Sequence, residues 1–248
     1  MFQLLLVVIY LAFISLGLPD SLLGSAWPVM YREFSVQVSY AGGISMIIAA
    51  GTIVSSLQID RLTKKFGTGK VTALSVLMTA AALFGFSISH SYAALLLWAV
   101  PYGLGAGIVD GSLNNYVALY YASRHMSWLH CMWGVGASLG PYIMGYALTG
   151  GQGWNMGYLY IAILQIVLTA ILLFSLPLWK KRTAEGTDHS GEANAKPLSL
   201  RQIFSIPGAK EIMVTFFCYC ALEQTAGLWA SSYLVLQRGL SAETAAGF

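Results

Sequence analysis

Three carboxylates, Asp20, Asp110 and Glu223, stand inside long apolar runs of the chain. A charged acid at the centre of a membrane helix costs about 2.5 to 3.5 kcal/mol on insertion scales, so such a residue faces a cavity or a partner instead of lipid. A carboxyl in that setting is chemically suited to take up and release protons. The structural alternative is an acid hydrogen-bonded at a helix contact. Asp110 shares a helical stripe with Gly103, Gly107 and Asn114, which places an amide one turn from the acid. Gly103, Gly107 and Gly111 form a small-xxx-small ladder that lets a neighbouring backbone approach. Further on, His130 and Trp133 precede a run from Gly134 to Pro141, a bend site. His130 can hydrogen-bond a solute or relay a proton, or serve as a structural bond near the membrane interface. Trp27, Trp133 and Trp229 can offer flat faces to a sugar ring, or act as lipid anchors and core. Asn114, His130, Glu223, Trp27 and Trp133 are therefore the candidate solute-binding residues, and Asp20 and Asp110 the candidate proton carriers. No nucleophile beside a base, metal-ligand cluster or phosphate loop is legible, so no enzymatic activity, cofactor or metal is expected.

The elements that carry these residues are set by composition. Charged residues make up 9% and hydrophobic residues 57% of the 248, too little polar surface for a water-soluble domain. A membrane helix needs about 20 apolar residues. Seven stretches qualify, roughly 2–29, 39–59, 71–88, 92–121, 126–148, 156–178 and 211–237. The alternating segments of about 10 residues that mark a membrane barrel are missing. An all-α polytopic membrane protein is expected: a six-helix bundle over 1–178, a linker over 179–210 and the start of a second bundle over 211–248. Residues 180–196 are polar with no apolar period, and 198–204 can form a short surface helix before the Pro207-Gly208 turn. Cys131, Cys218 and Cys220 fall in apolar spans and are read as packing residues.

Of the 13 Lys and Arg, all but Arg32 and Arg238 fall on one side if the first helix starts in the cytoplasm. That bias sets the N-terminus inside. The first span lacks basic residues ahead of it and a cleavage site behind it, and so reads as a retained helix. Counting about 1.5 Å per residue from the outer helix ends puts Asp20 about 15 Å deep and Asp110 about 27 Å deep. One hydrogen-bonded pair of acids is not expected. The first and seventh spans repeat features at an offset of about 203 residues: Asp20 with Glu223, Trp27 with Trp229, and Tyr40–Gly43 with Thr244–Gly247. On that reading Glu223 opens a second half that continues past Phe248, and the chain is C-terminally truncated.

Six helices, a long linker and a seventh helix resemble the major facilitator superfamily. The loop from Ser56 to Gly67, with its Asp60-Arg61 pair followed by Lys64 and Lys65, resembles that superfamily's cytoplasmic signature. Ser56 stands where glycine is usual, and Gly67 comes late. The resemblance implies that Asp60 and Arg61 form a cytoplasmic gate. Pro19-Asp20-Ser21-Leu22-Leu23 and Gly107–Asn114 resemble the first- and fourth-helix segments of the fucose–galactose–glucose:proton symporter group, which includes the fucose permease. This resemblance implies proton-coupled uptake of a sugar or similar neutral solute by alternating access, with Asp20 and Asp110 as the two membrane acids. Asp110 is shorter than the Glu of the fucose permease, so the same sugar is not implied. A plasma-membrane, bacterial location is expected, with solute, protons and lipid as partners, no nucleic acid, and a monomeric state. Drug:proton antiport is the alternative, because Gly136–Gly145 resembles the glycine-proline motif of exporters. A non-transporting sensor is a third.

Overall fold

The computed structural model describes residues 2–186 and 200–247, and all regular structure among them is helical. The elements are α1 (Phe2–Gly17), α2 (Leu22–Glu33), α3 (Tyr40–Ser56), α4 (Ile59–Phe66), α5 (Thr68–Ser87), α6 (Tyr92–Tyr120), α7 (Ser123–Thr149), α8 (Trp154–Gly186), α9 (Leu200–Ile203), α10 (Ala209–Arg238) and α11 (Ala242–Ala246). Each of the seven expected spans is occupied by helix. By length and composition, Gln3–Glu33, Thr68–Ser87, Tyr92–Tyr120 and Trp154–Trp179 can each cross a membrane, and α3 with α4 qualifies as one span bent by 55°. α7 and α10 have 27 and 30 residues, matching the fifth and seventh expected spans in length.

Two boundaries differ from expectation. α8 runs on through Gly186, because Lys, Arg, Ala and Glu after Trp179 are good helix formers that need no apolar face. The expected linker therefore begins later, and 187–199 lies outside the described residues. The first span is not one helix but breaks between Gly17 and Leu22. The break follows from Pro19, which has no N–H to give to the Ser15 carbonyl four residues back. Past that point the bonds tighten, with Asp20 N–H donating to Gly17 (3.1 Å) and Leu22 N–H to Pro19 (3.2 Å). The short helix expected before Pro207 is present as α9, and Gly208 takes the left-handed φ of +82° that starts α10.

The two ends of the bundle are chemically distinct. One end gathers the α4 lysines and Arg124. At the other, the indole of Trp154 donates to Glu33 (2.6 Å), Asn155 to the Ser87 carbonyl (2.8 Å) and Tyr92 to the Tyr40 carbonyl (3.0 Å). Glycines set the helix spacing between these ends. A methyl at Gly103 would strike the Ile48 carbonyl, and methyls at Gly107 and Gly111 would strike Ser55 and Ile59. The ladder on α6 thus packs against the bent span formed by α3 and α4. On α7, Gly136 and Gly140 abut the carbonyls of Ile14 and Leu18, which locks α7 onto the end of α1.

α10 meets the six-helix unit mainly along α2. Gly24 touches the backbone of Gly227, and these positions have the same spacing as Asp20 and Glu223. α3 follows its N-cap Ser39 and α11 its N-cap Ser241, spaced as Trp27 and Trp229 are. The Ser231 hydroxyl ties α10 to α11 through the Ala245 carbonyl (2.9 Å). The repeat does not extend to backbone shape: α10 passes Glu223 unbroken, because no proline stands where Pro19 stands in the first span. Below Gly227 the helix leaves its neighbours, and Ile212, Phe216, Phe217 and Leu222 are exposed. Cys131 and Cys218 are exposed too and only Cys220 is half-buried, so the first two are not the packing residues that the sequence suggested.

The α1–α7 seam makes a testable demand. Gly136→Val should lower thermal stability in detergent by about 1 to 3 kcal/mol, because the obstacle is backbone that cannot rotate away. Gly134→Ala, at a position with open space around it, should leave the melting temperature unchanged or slightly raised.

Candidate functional site

The break in the first span sets Asp20 outside regular helix, and this decides where its carboxylate points. Asp20 retains accessible surface in this arrangement. Its Oδ2 accepts from the Trp133 indole N–H at 2.7 Å, and its Oδ1 accepts a longer bond from the Tyr102 hydroxyl at 3.4 Å. One acid is therefore held by α7 and α6 together. Trp133 reaches it because Gly136 lets α7 sit against the end of α1. Tyr102 is 5% exposed and stacks edge-on with Phe86, which leaves its ring little freedom.

Asp110 lies further along α6. It accepts from the Asn114 amide at 2.9 Å and retains accessible surface. The other amide atom of Asn114, Oδ1, is buried without a hydrogen-bond donor. Asn114 thus serves Asp110 in this arrangement. The two acids do not bond each other, as their separation along the helices led one to expect, but they lie within electrostatic reach. His130 is exposed on α7, within electrostatic reach of Asp110, and its ring meets Phe13 edge-on at 6.0 Å. Glu223, on α10, lies near enough to act electrostatically on Asp20 and accepts from Tyr219 at 3.3 Å.

Trp133 is thus bonded to Asp20 and Asn114 to Asp110, while His130 on α7 lies near Asp110 and Glu223 on α10 lies near Asp20. Trp27 stands apart. It is fully buried, and its indole donates to the Val38 carbonyl at 2.7 Å, fixing the turn between α2 and α3. With both faces enclosed it has none to offer a solute, and the expectation of a binding role is corrected on that ground. Asp60 and Arg61 lie on α4, both exposed, and neither makes an ion pair among the described residues. His, Cys, Asp and Glu form no group able to hold a metal ion among the described residues.

Sequence reasoning missed Tyr102 and Gln165. Tyr102 carries a weak signal, a tyrosine two turns before Asp110 on the same helix. Gln165 carries a stronger one, as the only amide in the apolar run from Ile161 to Leu173. Its two bonds to Ser15 tie α8 to α1 by hydrogen bonding amid otherwise apolar packing.

Comparison with known proteins places the chain in context. The family model described as Major Facilitator Superfamily matches residues 9–248. Among curated proteins, the chain is similar to Bypass of stop codon protein 6 of Saccharomyces cerevisiae, 23% identical over 247 residues that cover 90% of this chain and 49% of that protein. It is also similar to human synaptic vesicle glycoprotein 2B, 24% identical over 152 residues, 60% of this chain and 22% of the relative. The chain thus spans about half or less of the length of these relatives. Among solved structures, a D-xylose–proton symporter superposes with a TM-score of 0.69 at 13% identity, over 98% of this chain and 63% of that one.

The two bonds to Asp20 are unequal, which a double-mutant comparison can read. Trp133→Phe should cost roughly 1.5 to 3 kcal/mol of stability and Tyr102→Phe less, in line with their lengths. Thermal unfolding checks this, and both costs should shrink in an Asp20→Ala background.

Proposed function

Because the chain belongs to the major facilitator superfamily, we propose that it moves a small neutral polar solute, a sugar or sugar-like compound, together with protons. The observation that carries this reading is that Asp20 and Asp110, both within apolar spans, keep accessible surface and are each held by their own donors; in the proposed carrier both border one solute cleft. An acid kept at depth with accessible surface can load and release a proton along a water path. His130 and Glu223 add polar groups that a hydroxylated solute can bond, and the ring of Trp133 borders the same space while its N–H holds Asp20. No Lys or Arg stands within the first six expected spans or between Ile212 and Gln237, which suits a neutral solute better than a phosphorylated one. The relation to a D-xylose–proton symporter supports sugar and proton as cargo without naming the sugar.

The proposal assigns a direction to the cleft. With the basic end in the cytoplasm of a bacterial cell, as the charge bias indicates, α10 touches α2 on the outer side and parts from the bundle on the inner side. The arrangement is then the inward-facing member of an alternating pair, closed outside by the Gly24–Gly227 contact. Asp60 and Arg61, both free on the inner surface, are available to form the gate of the opposite state.

Drug:proton antiport is the second reading. Gly136 and Gly140 pack against α1, the kind of close contact that the exporter-like glycine-proline segment of α7 would make.

The test uses liposomes reconstituted with the protein, an imposed inward proton gradient and labelled D-xylose or L-fucose. Gradient-driven accumulation is expected. Asp110→Asn should reduce accumulation by at least about tenfold while leaving exchange of labelled for unlabelled sugar. Unchanged accumulation in Asp110→Asn overturns the assignment of Asp110, and expulsion of a hydrophobic cation without sugar uptake favours antiport.

A further inference from the structure

The break that exposes Asp20 has a cost that a second helix covers. In an unbroken helix the Ser15 carbonyl would accept from residue 19, but residue 19 is proline. A carbonyl left without a donor in apolar surroundings is strongly disfavoured, and a freed one must be satisfied by a neighbouring helix, a side chain or water. Here the donor is the Gln165 amide of α8, whose Nε2 gives to the Ser15 carbonyl at 2.7 Å. The Ser15 hydroxyl returns a bond to Gln165 Oε1 at 2.6 Å. Ser15 and Gln165 are 7% and 2% exposed, so water does not compete for these groups.

The pair is also spatially tied to the acid. A cavity no larger than a single water molecule is lined by Ser15, Pro19, Thr79, Tyr102 and Gln165. The same Tyr102 donates to Asp20 from the other side of the break. We propose that Gln165 is a positioning residue: by supplying the donor that Pro19 withholds from Ser15, it fixes the break in the first span that holds Asp20 against its Trp133 and Tyr102 donors. Proline opens the helix, and glutamine decides that it opens at one place and one angle. The structural element of this inference stands by itself, and only its transport consequence rests on the proton-coupled reading above.

Hydrogen exchange on the purified protein reads the joint without any transport. Gln165→Leu removes both bonds, and Gln165→Met removes both while keeping nearly the original side-chain length. Both should speed exchange in peptides spanning residues 14–25 by about tenfold, where Leu18, Asp20, Leu22 and Ser25 N–H groups bond across the joint, with α5 unchanged. Adding Pro19→Ala, which restores a backbone N–H to Ser15, should suppress most of the increase. A role in packing alone would give no such rescue. In the transport assay the same variants should shift the pH profile of sugar uptake, and Pro19→Ala should partly restore it. Unchanged exchange over 14–25, or an increase spread evenly over the bundle, overturns the inference. Should Gln165→Leu fail to fold, Gln165→Asn, which is too short to reach Ser15, gives the same reading. Altered exchange and rescue with a flat pH profile would sustain the role of Gln165 at the joint and count against proton coupling.

Discussion

Lipid offers no hydrogen bonds, so a backbone group freed from its helix or a carboxylate in an apolar layer is costly unless the protein or a water-lined space supplies its partner. That constraint organises the structure around Asp20. Pro19 interrupts the first span, which frees the Ser15 carbonyl and lets the next residue leave the helical path. The freed carbonyl draws Gln165 from α8, and the displaced carboxylate draws Trp133 from α7 and Tyr102 from α6. Three helices are thereby fastened to one irregular turn, and each fastening satisfies a group that lipid could not.

Glycine makes those short bonds geometrically attainable. The α1–α7 seam is close because Gly17, Gly136 and Gly140 present no side chain to the opposing backbone. With bulkier residues the indole of Trp133 would stand off from Asp20. The same logic holds on α6: Gly103, Gly107 and Gly111 meet α3 and α4, and Asp110 and Asn114 continue the stripe of Gly103 and Gly107. Packing and chemistry here are two consequences of one sequence stripe.

Much of this was legible in the residues. Apolar runs located the long helices, because length and hydropathy are local properties, although α7 and α10 are less apolar than the other spans. The cost of a buried acid singled out Asp20, Asp110 and Glu223, and the latter two lie near Asp20 in the structure. Other features needed three dimensions. Trp27 and Trp133 look alike in sequence, yet one is sealed behind Val38 and the other holds Asp20, a distinction made by neighbours far along the chain. The break at Pro19 was readable from proline chemistry, but its partner Gln165 lies 150 residues away. The extension of α8 past Trp179 reflects helix propensity, to which a reading based on apolar length is blind.

The chain belongs to the major facilitator superfamily, and the proposed coupling depends on the central acids exchanging protons while solute crosses. The most direct measurement follows external pH with an electrode as D-xylose or L-fucose is added to weakly buffered, de-energised liposomes containing the protein. The account predicts that the medium turns alkaline as sugar enters, and that Asp20→Asn abolishes this change. Sugar entry with no accompanying pH change, in the unaltered protein, would contradict it.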